Sequence, residues 1–508
     1  MKITLPILGA AIFASMFISI ACWTWAMVHQ FHVSDPWVTL PNALWHTFQY
    51  PQLRGIAIFS LLEGIIPVAF LLYVLNELKP DDLDKHVVRG TSIVSAERLA
   101  SKTRVKSRKR TLSQIEVAGV PIPYQCESAH MLLAGSTSSG KTTAADEMLA
   151  GAVARGDRVI VIDPNGHALS LFAKKGDVVL NPFDVRSQGW TIFNEYRKPY
   201  DFERFAKSVI PDSSDASAQQ WHGFAQQLFA EVTRTAAQTG ETNTERLLYW
   251  LTQASAKDLA AYLAGTAATG LFEPGAEKAF ASTRFILSHH VSAFQYLRPG
   301  EFSLRTWLEE RKGDLYITWR EDMLVTLRPL VSAWVDILIA SILTLPDSEP
   351  RPLWLFLDEL ASLQRLNSLE AGLTKGRKHG LRVIAGLQSV SQFDAVYGQH
   401  HAKTLRSCFR NLIALGCANS DPHTAKEISD GIGQCETERT QRTLSSNKSG
   451  SSTSSSRIRS IEPALLPSEL MSLPPLHGFL KLAGGYPVGK IRLVPKNYPV
   501  RTEPFVER

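Results

Sequence analysis

Apolar positions are spread very unevenly along the 508-residue chain. Residues 3–28 carry no charged side chain over 26 consecutive positions. About 20 apolar residues suffice to span a hydrocarbon core, so the run predicts a membrane helix over about 4–28. It is too long for the apolar region of a signal peptide, which covers roughly 7–15 residues. Residues 55–76 hold thirteen Leu, Ile, Val or Phe and one charge, Glu63. Those thirteen favour insertion by roughly 4–8 kcal/mol, and a central acidic residue opposes it by roughly 2.5–3.5 kcal/mol. A second membrane helix is therefore predicted over 55–76, with Pro67 placed to kink it. The loop 29–54 has one Arg and no Lys, whereas Lys79, Lys85, Arg89, Arg98, Lys102 and Arg104 follow the second helix. The positive-inside rule then places both termini and the bulk of the chain in the cytoplasm. Trp37, Trp45, Phe48 and Tyr50 suit the membrane interface.

Beyond residue 79 the pattern changes. Short apolar runs at 131–134, 159–162, 178–180, 315–317, 353–357, 383–385 and 412–415 read as buried parallel strands. Helical periodicity intervenes, for example over 142–154 and 325–345. This alternation predicts an α/β sheet covered on both faces. Residues 201–300 break it: they are rich in Ala, Gln, Leu and Glu, and predict an all-helical insertion. Residues 445–460 are low in complexity and are expected as a mobile loop. Pro463, Pro467, Pro474 and Pro475 then predict an irregular C-terminal segment.

Composition narrows the picture only mildly. With 20% charged and 44% hydrophobic residues, global disorder is excluded. A net charge of +6 permits contact with nucleic acid or anionic lipid without demanding it. The basic run over 102–110 fits a solvated loop or either of those anionic surfaces. Cys22, Cys126, Cys408, Cys417 and Cys435 form no CxxC pair or zinc spacing, so they read as free thiols. His289 and His290 also lack ligand spacing and are expected on a helical surface.

The chemistry is concentrated in a few motifs. Gly135, Ser136, Thr137, Ser138, Ser139, Gly140, Lys141 and Thr142 match G-x-x-x-x-G-K-[ST] between an apolar strand and a helix, with Thr143 next in line. The glycines let backbone N–H groups wrap a phosphate, Lys141 supplies charge to the β/γ oxygens, and Thr142 coordinates Mg2+. The strand at 353–357 delivers Asp358 to hold the Mg2+ shell through water, and Glu359 to polarise the attacking water. Gln388 ends the following strand, where a carboxamide can sense the γ-phosphate. A transition-state arginine can be donated by a neighbouring subunit; Arg377 is the first candidate and Arg320 the second. The turn Asp163-Pro164-Asn165-Gly166-His167 is expected on the strand beside the P-loop strand, either structural or shaping a subunit boundary.

Together, HMLLAGSTSSGKTTA, VIVIDPNGHALSLF, LNPFDVRSQGW, GDLYITWRED, LWLFLDELASL and LTKGRKHGLRVIAGLQSVSQF resemble the type IV secretion coupling proteins, above all the TrwB/TraD branch of conjugative plasmids. The Walker motifs are shared by all P-loop ATPases; the DPNG, NPFD and KGRKxGL blocks are far more specific. The resemblance implies a RecA-like nucleotide-binding domain over 79–200 and 301–508, an all-α domain over 201–300, and a membrane anchor over 1–78. It implies a homo-hexamer on the bacterial inner membrane that takes plasmid DNA from the relaxase and relaxosome to the type IV secretion channel, using ATP and Mg2+. Lys141, Thr142, Asp358, Glu359 and Gln388 carry over as nucleotide-site residues and Arg377 as the arginine finger. Trp221 falls near the cytoplasmic pore mouth or packs between helices. Two other readings stand beside this one: a double-stranded DNA translocase of the FtsK kind, and a nucleotide-switched membrane receptor for the relaxase without motor activity.

Overall fold

The computed structural model describes residues 5–31, 51, 54–63, 86–105, 113–347, 352–447 and 450–508. The chain divides into two compact units, Met1–Val88 with Glu436–Ser460, and Arg89–Cys435 with Ile461–Arg508.

In the first unit, Leu5–Phe31 forms one continuous 27-residue helix, as its uninterrupted apolar sequence dictates. Of the second predicted membrane helix, residues 54–63 are helical and 64–85 lie outside the described residues. Among the described residues, one helix is long and apolar enough to cross a membrane, Glu321–Ile342, and its apolar window is 72% buried inside the fold, as suits a core helix. The N-terminal helix contributes a shorter apolar stretch, Ser15–His29.

The second unit is built on a ten-stranded mixed sheet. In chain order its strands are β1 (Ile93–Ser95), β2 (Met131–Ala134), β3 (Arg158–Pro164), β4 (Val178–Leu180), β5 (Leu315–Trp319), β6 (Leu353–Leu357), β7 (Leu381–Leu387), β8 (Asn411–Leu415), β9 (His477–Lys481) and β10 (Val488–Arg492). Their spatial order is β1-β10-β9-β8-β2-β7-β6-β3-β5-β4. The strands from β8 to β4 pair in parallel, while β9 runs antiparallel to both β8 and β10. All seven apolar runs predicted as strands are strands. The segment expected to be irregular beyond Pro463 supplies β9 and β10, with Pro467 opening the helix Pro467–Met471 and Pro474 and Pro475 between that helix and β9. The stretch expected as a mobile loop lies in two long strands, Gln434–Asn447 and Gly450–Pro463, which share a separate three-stranded sheet with His86–Gly90. Serine and threonine runs without proline tolerate an extended backbone.

Side-chain alternation divides the strands between two cores. In β6, Leu353, Leu355 and Leu357 join the cluster around helix Leu324–Ile342, whereas Trp354 and Phe356 join the cluster beneath helix Lys141–Arg155. Residues 201–300 carry helices and no strand. Helix Asp201–Val209 is tied to the sheet-covering helix Leu324–Ile342 by Ser208, whose hydroxyl donates to buried Asp336 at 2.6 Å. Asp336 also accepts from the Ser368 amide at 2.6 Å. Buried Arg155, at the C-terminal end of its helix, pairs with Glu127 at 2.7 Å and Asp157 at 2.5 Å. Arg382, the second residue of β7, meets the same Glu127 at 3.3 Å, and the Trp354 indole donates to Asp157 at 2.8 Å. This network fixes the P-loop helix at the end away from its phosphate-binding turn.

Candidate active site

Strand β2 runs directly into the loop 135–140 and then into helix Lys141–Arg155. The loop is held on both sides. The Gly135 amide donates to Leu387 O at 3.1 Å and the Ser136 amide to Gly416 O at 2.8 Å, the ends of the flanking strands β7 and β8. A Cβ at position 135 would lie 2.6 Å from Ser139 Oγ and 2.8 Å from Leu415 Cβ, so only glycine fits. Gly140 caps the helix at φ +115°, a conformation that favours glycine. The hydroxyls of Ser136 and Ser139 are engaged inside the loop, to Gly416 O and Ser136 O. Thr137, Ser138, Gly140, Lys141, Thr142 and Thr143 line a cavity of about 430 Å³. The Lys141 ammonium folds back on the Gly135 and Ser136 carbonyls at 2.8 and 3.0 Å.

Asp358, Glu359 and Gln388 line the same cavity, at the C-terminal ends of β6 and β7. The strand that carries the acidic pair is separated from the P-loop strand by β7 alone. Burial pushes both carboxyls up, against the opposing charge of Lys141. Burial pulls the Lys141 ammonium down, against Glu359 and Asp358. The three groups therefore form one partly desolvated charge cluster, in which electrostatic interactions are stronger than in water. Glu359 Oε1 is buried without a hydrogen-bond partner, so it is free to accept from a water or a ligand. The Gln388 amide donates to the Thr137 hydroxyl and so bridges the end of β7 to the P-loop.

Other residues join the site from places that periodicity did not mark. Asp146 lies one helical turn beyond Thr142, and its carboxylate meets His167 Nε2 at 2.9 Å. The Asp146 hydrogen bond raises the His167 pKa. Asp163, Asp146, His167 and Asp358 share a narrow slot beside Thr142. Asp163 is buried and its pKa is raised to about 7 by that burial, although Leu169 N donates to it at 2.8 Å. The sequence predicts its strand β3 beside the P-loop strand; instead β7 and β6 lie between them. Asn165 Oδ1 accepts from the Glu321 amide at 3.2 Å, binding the turn to the cavity wall formed by Trp319, Glu321 and Leu324. Leu476 closes the other side, its amide donating to Ser139 O at 3.0 Å.

Arg377 is not brought to this cavity. It lies exposed in the turn Gly376–His379, before the N-terminal end of β7, whereas the cavity is at the C-terminal end. Seven strand residues at about 3.3 Å each put it on the order of 20 Å from its own site. Arg320 stands at the near edge but is paired with Asp322 at 2.6 Å. Trp221 is half-buried, its ring edge-on to Phe224 at 6.0 Å. His289 is exposed as expected, but His290 is buried because it turns to the inner face of helix Glu277–Val291. All five cysteines are free.

The family model for the type IV secretion-system coupling protein DNA-binding domain matches residues 114–494. Coupling protein TraD of Escherichia coli K12 is 26% identical over 468 residues, 89% of this chain and 64% of its own. The chain thus spans less than two thirds of that relative's length. The bacterial conjugative coupling protein TrwBdeltaN70, in an unbound form, superposes with a TM-score of 0.78 at 43% identity, covering 83% of this chain and 97% of the other. TrwB in complex with ADP and Mg2+ gives 0.77 at 42% identity, covering 83% and 98%. The ten-stranded sheet with its P-loop and acidic strand end is accordingly the RecA-like nucleotide-binding fold of those proteins, and the chain belongs to the type IV secretion-system coupling protein family.

Proposed function

We propose that the chain is an inner-membrane ATPase that couples the relaxosome to a type IV secretion channel and drives plasmid DNA, as a single strand, through it. The observation that carries this reading is the convergence of Lys141, Asp358, Glu359 and Gln388 on one cavity at the P-loop. The ADP and Mg2+ bound by TrwB support ATP and Mg2+ as the ligands here. The donor set suits them: a hydroxyl and a carboxylate for a hard cation, and a glycine loop with a lysine for phosphate. Thr142 and, through water, Asp358 would hold the Mg2+, which would neutralise charge on the phosphate oxygens. Lys141 turns from the Gly135 and Ser136 carbonyls towards the β/γ oxygens. Glu359, with its unpartnered oxygen, orients and polarises the attacking water. Gln388, linked to Thr137, senses whether the γ-phosphate is present. Arg377 serves the cavity of an adjacent subunit, because its own is out of reach; this calls for a homo-hexamer or another closed ring.

The same reading divides the chain into an anchor over 1–78, a nucleotide-binding domain over 79–200 and 301–508, and an all-α domain over 201–300. The anchor crosses the membrane twice and leaves both termini cytoplasmic. Its support is the apolar helix Leu5–Phe31, together with the apolar sequence of 55–76. Lys141→Ala tests the assignment. A motor loses both ATP turnover and plasmid transfer; continued transfer would leave a nucleotide-switched receptor. ATP turnover stimulated by duplex DNA and unaffected by single strands would leave an FtsK-like translocase.

A further inference from the structure

A second cavity, of about 530 Å³, opens where the helical stretch meets the sheet. Its walls include Asp212, His222, Phe285, His290, Gln364 and Arg365, and, against the effect of burial, the Arg365 charge helps to lower the Asp212 pKa. One polar atom on its wall, Arg365 Nε, is buried without a hydrogen-bond partner, while Gln364 interacts with the His290 ring. Orphaned buried polar groups are rare in folded proteins and call for an explanation. His290 is 5% exposed, and burial drives its pKa down to about 3, so the imidazole is neutral and offers one donor and one acceptor. Phe285 stands on the rim with 77% of its surface exposed. An aromatic rim, an amide, a neutral imidazole and a guanidinium together match an unpaired base and its phosphate.

The cavity also shares two walls with the ATP site. Ser362 lines the nucleotide cavity, and the next three residues, Leu363, Gln364 and Arg365, line this one. Leu324 lines the first, and Arg328, one helical turn later, lines the second. Arg328 grips the intervening segment by donating to Ser362 O at 2.5 Å and Ala361 O at 3.1 Å. That segment follows directly on Glu359.

We propose that this cavity holds a nucleotide of the transported single strand, with Phe285 stacking on the base and Arg365 pairing with the phosphate. The segment 360–365 then links strand occupancy to the position of Glu359. The assignment rests on the DNA-transport reading and adds a place of contact to it. The test uses the full-length chain in detergent and a fluorescein-labelled thymidine oligonucleotide. With p-benzoylphenylalanine at position 285, irradiation should cross-link the oligonucleotide, and the same group at exposed Val500 should not. Phe285→Ala should weaken binding about tenfold, the effect of losing one stacked base. Arg365→Gln should lower the slope of log affinity against log salt by about 0.7, the loss of one single-strand phosphate contact. Binding that persists with no cross-link from position 285, or with the salt slope of Arg365→Gln unchanged, overturns the site while leaving transport standing. Equal cross-linking to duplex overturns the single-strand assignment. Absence of any DNA binding overturns the transport reading and this site with it.

Discussion

Gly386→Ala probes the site through the backbone without touching a functional group. Gly386 lies in β7, between the P-loop strand and the strand that carries Asp358. A Cβ there would stand 1.8 Å from Asp358 O and 2.8 Å from Asp358 C. Ordinary van der Waals contact begins near 3.4 Å, so the Asp358 peptide must retreat by about 1.6 Å. Backbone cannot rotate away as a flexible side chain can, and overpacking of this kind costs about 1–3 kcal/mol. The chemical consequence is larger, because a misplacement of about 1 Å in a catalytic geometry lowers rate by about 100-fold. Steady-state ATP turnover of Gly386→Ala should therefore fall about 100-fold, with fluorescent-nucleotide binding reduced far less because the 135–142 loop stays intact. Gly223→Ala is the matched control: no atom lies within 4 Å of its Cβ, it sits inside helix Ala216–Thr239, and it should stabilise by about 0.5–1 kcal/mol. A folded Gly386→Ala protein with normal turnover would refute the reasoning.

Further expectations follow from the same geometry. Glu359→Gln should keep nucleotide affinity and lose about 10²–10⁴ in turnover, read by pre-steady-state quench; a loss of binding instead would place Glu359 in the ligand shell. Arg377→Ala and Lys141→Ala should each be inactive alone, yet mixing them should restore part of the ATP turnover, since a ring pairs an intact P-loop with a neighbour's intact arginine; no recovery on mixing would put Arg377 outside the site. Burial raises the Asp163 pKa from 3.8 to about 7, so the folded chain keeps a proton that the unfolded chain has lost. That contribution to stability falls as pH rises from about 4 to about 7, and denaturant midpoints of Asp163→Asn should lack this part of the slope; identical profiles would contradict it. Arg155→Ala leaves buried Asp157 without its cation and Glu127 with Arg382 alone, and should destabilise by about 3–5 kcal/mol, measured by chemical denaturation.

The legible parts of the sequence were those governed by local rules. The loop 135–142 announces itself because only glycines and a lysine at that spacing make a phosphate cradle. The strand 353–357 announces the acidic pair because five apolar residues in a row can only be buried. What stayed hidden depends on pairing between distant segments. Nothing local places β7 and β6 between β2 and β3, so Asp163 was expected one strand from the P-loop. Strands β9 and β10 were obscured by the prolines that precede and separate them in the chain. Asp146 and His167 meet at the site only because a helix and a turn 21 residues apart are brought together by the sheet. Only the fold places Glu127 beside buried Arg382. His290 was misjudged because a single residue step, about 100° around the helix, decides between solvent and core.

ATP hydrolysis by the purified full-length chain, followed across protein concentration with and without single-stranded DNA, bears most directly on the whole account. A P-loop completed by a neighbour's Arg377 requires turnover per chain to climb with concentration, and a strand-driven pump requires it to climb again on adding DNA. Turnover that is absent, or that is constant per chain and indifferent to DNA, would contradict the account.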